Sequence, residues 1–274
     1  MKDCMKIAFI GGGNMAGAII GGLLVKGFAK AQFHVVEVNA ERRRELQAIL
    51  GVSTAAAADA ALCACEVVVL AVKPQHMRAA AQSLAAHLGT QLVISIAAGI
   101  GLADLSRWLA GNQNLVRVMP NTPALIHAGI TGMYALPSVT AAQRKLAATL
   151  LEAVGEILWF DDESQLDGVT AVSGSGPAYV FYFIEALQRA AQQLGMTPEQ
   201  ARKLALQTFL GASRLAAQSE QSPATLRAQV TSKGGTTESA LAVMEQAGLQ
   251  AQFVTAIKAA AARSKELGTE FGKD

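Results

Sequence analysis

The stretch Lys6-Ile7-Ala8-Phe9-Ile10-Gly11-Gly12-Gly13-Asn14-Met15-Ala16-Gly17-Ala18 constrains the fold more than any other part of the chain. A short apolar run enters a glycine cluster and leaves as a run of small residues, the order of strand, turn and helix. The spacing is G-x-G-x-x-A. Gly11 permits a tight turn, Gly13 lets the backbone approach a pyrophosphate, and Ala16 keeps the helix close to the strand. The helix start at Asn14 and Met15 offers unpaired N–H groups and a partial positive charge to phosphate oxygens. These residues predict a dinucleotide-binding unit. The competing reading is a flexible glycine turn in some other α/β fold.

The rest of the first half supports the first reading. Strands are predicted at Lys6–Ile10, His34–Val38, Glu66–Val72, Gln91–Ile96, Asn114–Pro120, Thr131–Ala135 and Ile157–Phe160. Helical patterns at Met15–Lys26, Glu41–Leu50, Leu102–Ala110 and Ala141–Val154 alternate with them, and a short helix is predicted at Ala55–Cys63. Repeated βα units imply a parallel sheet. After Asp162 the strand signals stop, and Asp161-Asp162-Glu163 is the expected boundary. The predicted fold is therefore an α/β Rossmann-type dinucleotide-binding domain over residues 1–161. An all-helical domain for substrate binding and dimerisation follows over 162–274.

Within 274 residues, 51% are apolar and 16% charged, enough for a sizeable core with apolar surface left for an oligomer interface. The helix carrying Phe181, Phe183, Ile184 and Leu187 is apolar around much of its circumference, as is Ala256–Ala262. A small domain has few places to hide two such helices, so a homodimer through the C-terminal helices is expected over a monomeric bundle. The net charge of +2 gives no footprint of a nucleic-acid or membrane partner. No apolar run approaches the ~18 residues of a membrane span, and Met1–Ile10 does not read as a signal peptide. Cys4, Cys63 and Cys65 form no metal pattern with the four histidines. A reduced, cytoplasmic setting without a metal is expected.

Two features bear on the choice of dinucleotide. An acidic residue at the end of strand two commonly bonds the ribose 2′-OH of NAD, and Glu37 is close to that position. Asn39 is the alternative tip, able to N-cap the next helix, with Arg42-Arg43-Arg44 just inside it. A neutral tip followed by guanidinium groups suits a 2′-phosphate. NADP is the expected cofactor, with NAD as the second option. Ligands in such sheets lie at the carboxyl ends of strands. That rule adds Ala71-Val72-Lys73-Pro74, Ala97-Ala98-Gly99 and Met119-Pro120-Asn121-Thr122-Pro123 to the candidate edge, with Asn121 in a proline-framed loop.

In the helical half, Thr231-Ser232-Lys233-Gly234-Gly235-Thr236-Thr237-Glu238 leads glycines and hydroxyls into a helix start. Free N–H groups and hydroxyls there suit a carboxylate; an ordinary glycine-rich cap is the alternative. With Ser95–Gly99, Met119–Pro123 and Ser173-Gly174-Ser175-Gly176-Pro177-Ala178-Tyr179, nearly the whole chain resembles the pyrroline-5-carboxylate reductase family. Lys233 stands where some members carry proline. The resemblance implies hydride transfer from the nicotinamide cofactor to a cyclic imine acid, giving proline. It implies Thr237 at the ring nitrogen and Ser232, Gly234, Gly235, Thr236 and Thr237 around the carboxylate, with Glu220 matching an acidic residue near the substrate. It also implies dimers, often assembled into rings of dimers, with the substrate loop of one subunit against its partner's nucleotide domain. A β-hydroxyacid dehydrogenase would want a lysine base and an asparagine near Ser173–Tyr179. A non-catalytic NADP-binding regulator would have no need of Ser232–Thr237.

Overall fold

The structure is a computed structural model and describes residues 5–273. It forms two compact units, Met1–Ser175 with Ala260–Asp274, and Gly176–Ala259. The first unit carries strands β1 (Ile7–Ile10), β2 (Phe33–Val36), β3 (Ser53–Ala55), β4 (Val67–Leu70), β5 (Leu92–Ser95), β6 (Leu115–Met119), β7 (Gly129–Ala135) and β8 (Gly155–Trp159). They make one sheet in the order β3-β2-β1-β4-β5-β6-β7-β8. Helices α1 (Asn14–Val25), α2 (Ala40–Leu50), α3 (Pro74–Leu84), α4 (Leu102–Trp108), α5 (Ala141–Leu151) and α6 (Gln165–Val169) accompany it.

Every residue of β1, β4 and β5 is buried. Side chains alternate across a strand, so such runs must feed two cores. Ile7, Phe9, Val67 and Ile94 join the core that holds Ile19 and Leu23 of α1 and Leu150 of α5. Ala8, Ile10, Val68 and Val93 join the core that holds Met77 of α3 and Leu105 of α4. Each buried large aliphatic or aromatic side chain contributes roughly 1.5–3 kcal/mol, which explains why these strands tolerate no alternating polar pattern.

Two sequence expectations meet a different structure. The predicted Ala55–Cys63 helix is absent: Ser53–Ala55 pairs with β2 as an edge strand, and a 3-10 turn occupies Ala60–Ala64. The alanines favour a helix, but pairing with His34–Val36 and the Asp59 cap on the Ala61 N–H override that propensity. The sheet is not wholly parallel, because β6 and β7 run antiparallel. Their connection holds a short 3-10 turn at Thr122–Ile126 rather than the crossover that parallel strands require. The compact units divide at Ser175–Gly176, with α6 lying against β7 and Leu166 fully buried in the first unit.

The second unit holds α7 (Gly176–Gln193), α8 (Pro198–Ala217), α9 (Pro223–Gln229), α10 (Thr236–Gln246) and the start of α11 (Leu249–Gly272). Thr197 and Gln200 form a reciprocal cap at the start of α8. Inside this unit Phe253 meets Tyr179 and Phe183 edge-on at 5.8 and 5.6 Å. Otherwise the unit is thinly packed. Among the described residues its buried apolar side chains are Ala191, Ala201 and Ala205, while Phe181 and Tyr182 are 65% and 69% exposed.

Gly11 has φ +95°, and a Cβ there would lie 2.6 Å from the Ala71 carbonyl oxygen. Gly11→Ala is expected to cost at least about 1–3 kcal/mol, or roughly 2–10 °C in Tm for a chain of this length. Thermal unfolding checks this; an unchanged midpoint contradicts the assigned backbone geometry.

Candidate functional site

The strand order reverses at β1, which pairs with β2 on one side and β4 on the other. Ligand crevices in open α/β sheets form outside the strand ends at such a point. The turn after β1 meets the turn after β4 there, with Val72 Cγ1 beside Gly11. Gly13 is the N-cap of α1, in extended conformation, and places no side chain on the helix start. The amides of the first turn have no partner inside a helix. A Cβ built on Gly13 meets nothing within 4 Å. The open side of the loop and the uncapped amides of Asn14, Met15 and Ala16 therefore fit a pyrophosphate. Ala16 is fully buried and holds α1 down on the sheet.

Gly12 is tied on both sides. Its N–H donates to Glu37 Oε2 at 2.8 Å, and its carbonyl accepts from Arg42 Nε at 2.6 Å. Glu37 Oε1 accepts the Asn39 N–H at 2.8 Å. Asn39 caps α2, accepting the Arg42 N–H at 3.0 Å. The three arginines diverge. Arg42 spans Gly12 and Glu45, and its Nη2 comes near Gly17. Arg43 donates to the carbonyls of Glu37 and Val38 at 2.6 and 2.9 Å. Arg44 is exposed. Glu37 and Asn39, rivals as the strand tip, thus act as parts of one clamp.

The other strand ends are held differently. Lys73 is the exposed N-cap of α3, with Pro74 at the first helical position. Ala97 is buried, and its N–H approaches Ser95 Oγ at 3.4 Å. Asn121 is engaged at both ends: Oδ1 accepts the Ile130 N–H at 3.0 Å, and Nδ2 donates to Ser173 Oγ at 3.2 Å. Ser173 lies in a π-helical turn, Thr170–Gly174, closed by the Ser175 N–H on the Thr170 carbonyl at 2.8 Å. Such turns recur at functional sites.

In the second unit, Gly235 caps α10 without a side-chain hydrogen bond, and Gly234 takes φ +74° to reach it. Thr237 is half-buried in the first turn, and Ser232 and Thr236 are exposed. The Gly234 N–H donates to Glu238 Oε2 at 2.6 Å, so the chain's own carboxylate occupies one of the donors expected to hold a substrate carboxylate. Glu220 is exposed in the turn before α9, with no hydrogen bond to Ser232–Thr237 among the described residues.

Sequence reasoning missed the buried Arg117, which bonds both Glu163 and Asp167. An arginine amid Leu115, Val116 and Val118 was the available signal. The Cys63-Ala64-Cys65 pair is divided by burial: Cys63 is exposed, and burial pushes the Cys65 thiol up. Cys4 lies outside the described residues. Among the described residues no helix is long and apolar enough to cross a membrane.

Comparison with known proteins agrees with this geometry. The family described as pyrroline-5-carboxylate reductase dimerisation matches residues 163–267, and that described as NADP oxidoreductase coenzyme F420-dependent matches residues 6–99. Pyrroline-5-carboxylate reductase of Pseudomonas aeruginosa is 47% identical, covering 98% of each chain. The Haemophilus influenzae enzyme is 43% identical over 97% of this chain and 98% of the relative. Among solved structures, the Coxiella burnetii reductase has a TM-score of 0.89 at 42% identity, covering 97% of this chain and 99% of that one. The Plasmodium falciparum pyrroline carboxylate reductase, with NADP bound, has a TM-score of 0.88 at 27% identity, covering 98% and 100%. With its nucleotide turn, its helical second unit and relatives of this likeness along nearly its whole length, the chain belongs to the pyrroline-5-carboxylate reductase family.

Proposed function

We propose that this protein reduces 1-pyrroline-5-carboxylate to L-proline with NAD(P)H, the last step of proline biosynthesis. The observation that carries this reading is the joint presence of two receptors in a chain of this family: the open Gly13 turn on α1 and the uncapped Gly235 start of α10. When bound, the reduced nicotinamide supplies a hydride to the imine carbon. The substrate reacts as an iminium, so its nitrogen already carries the proton of the product amine. No strong base is required. What remains for the protein is orientation and hydrogen bonding. Thr237 is assigned to the ring nitrogen. Ser232 and the amides of Gly235, Thr236 and Thr237 take the carboxylate. Gly234 joins them when its N–H is released by Glu238. Glu220 is assigned to the substrate side.

The cofactor edge comprises Gly11, Gly13, Asn14, Met15 and Ala16 for the pyrophosphate and Ala71, Val72, Lys73 and Pro74 beside it. Ala97 and Asn121 lie toward the nicotinamide. Asn39 and Arg42 are assigned to a 2′-phosphate. Arg42 is preferred among the arginines because Arg43 already serves two carbonyls while Arg42 lies on the glycine turn. NADPH is the preferred donor, with NADH usable through Glu37. The apolar surface of α7 and α8 supports a homodimer, because a unit with so little buried side-chain surface is marginal alone. A ring of dimers, a substrate loop facing the partner's nucleotide unit and a cytoplasmic location complete the proposal.

Four outcomes check it. Pyrroline-5-carboxylate reduction is expected with both donors, faster with NADPH; no reduction with either donor refutes the activity. Thr237→Ala should lower kcat at least about tenfold while cofactor affinity holds, the pattern of a lost transition-state hydrogen bond. Arg42→Ala should raise KM for NADPH about tenfold or more, with a smaller change for NADH. Arg43→Ala should leave the ratio of the two donors unchanged, and the reverse pattern would move the phosphate to Arg43.

A further inference from the structure

Arg117 is 5% exposed, and its strand is otherwise Leu, Val and Met. Its guanidinium is divided between two carboxylates: Nη1 donates to Glu163 Oε1 at 3.2 Å, and Nη2 donates to Asp167 Oδ1 at 3.3 Å. Each carboxylate holds a second element. Glu163 Oε1 accepts the N–H of Leu102, the first residue of α4, at 2.7 Å. Asp167 Oδ1 accepts the Ser264 hydroxyl at 2.8 Å, from the part of α11 that belongs to the first unit. Ser264 is itself 4% exposed.

The same part of α11 reaches the loop between β5 and α4 directly. A Cβ on Gly99 would lie 3.1 Å from the Gly268 nitrogen, and a Cβ on Gly268 would run into the Gly99 carbonyl oxygen. Further along, Arg107 of α4 donates to the Gly272 carbonyl at 2.8 Å, and Phe271 packs against the core under α3 and α4. The loop that starts at Ile96 is thus gripped at Gly99 and again at Leu102. The loop that starts at Pro120 begins three residues beyond Arg117 on the same strand.

Both loops stand at the carboxyl ends of parallel-running neighbours, β5 and β6, the end at which dinucleotides land. A buried ion cluster is a poor device for stability alone, since desolvation offsets most of its attraction and apolar packing does as well. What it provides is a fixed geometry. Given the dinucleotide reading above, we infer that Arg117 is a positioning residue for the cofactor. Through Glu163 and Asp167 it sets the spacing of the loops after β5 and β6, and the Ala260–Gly272 part of α11 is the strap that holds the first of them.

The test is NADPH binding to the full-length protein without substrate, followed by nicotinamide fluorescence and paired with thermal unfolding. Arg117→Met is expected to raise the Kd for NADPH about tenfold or more, as for a lost set of charged hydrogen bonds. Arg117→Lys, which keeps the charge but not the fork, should recover part of the affinity. Arg117→Met strands two carboxylates and could unfold the unit, so Ser264→Ala provides the second arm. It keeps both ion pairs, removes the strap's hydroxyl hydrogen bond to the Asp167 carboxylate, and should raise the Kd about threefold or more. Variants that melt earlier yet bind NADPH with the wild-type Kd overturn the inference. Because the readout is binding, Arg117-dependent affinity in a protein inactive on pyrroline-5-carboxylate supports this inference and contradicts the proposed reaction.

Discussion

The arrangement of the first unit turns on a place where no side chain fits. Gly11 leaves β1 with positive φ, and the space a Cβ would need is taken by the Ala71 carbonyl at the end of β4. Those two strands are neighbours where the sheet order reverses. The close approach of the two turns leaves the Gly13 side of the loop open and aims the first turn of α1 into the crevice. A side chain at Gly12 would strike Leu46 of α2, which is fixed from below by the core. The Glu37 and Arg42 hydrogen bonds then hold the Gly12 peptide at both its N–H and its carbonyl. The backbone geometry of this turn is therefore a consequence of packing.

The two units spend their apolar residues differently. Central strands buried on both faces give the first unit two cores and a rigid edge. In the second unit the large side chains of α7 and α8 are mainly exposed, and the aromatic contacts around Phe253 are its main internal packing. That division suits a rigid nucleotide platform joined to a unit completed by association. The matched dimerisation region, residues 163–267, covers the exposed helices and also includes Glu163 and Asp167, the partners of Arg117.

Local signals were legible and long-range ones were not. The glycine turn depends on residues a few positions apart, and it is found where the spacing put it, with α1 starting at Asn14. The edge strand at Ser53–Ala55 exists only through its pairing with β2, so its alanine neighbours misled a local reading. The antiparallel turn of β7 depends on the shortness of a connection that the sequence shows but whose direction it does not. Glu37 was visible as an acid near the strand end. Its bond to Gly12, 25 residues away, was not. The Arg117 cluster joins residues from β6, α6 and α11, separations that no spacing rule covers. The Ser232–Thr237 segment was readable as a helix start, whereas the hydrogen bond from the Gly234 N–H to Glu238 was not.

Everything proposed about the cofactor follows from where the dinucleotide rests. A crystal structure of the protein with NADPH bound tests that most directly. The pyrophosphate is predicted on the amides of Asn14, Met15 and Ala16, with the 2′-phosphate beside Arg42. The nicotinamide is predicted between the Ala97 and Asn121 loops. A pyrophosphate bound away from the Gly13 turn, or a nicotinamide outside those two loops, would contradict it.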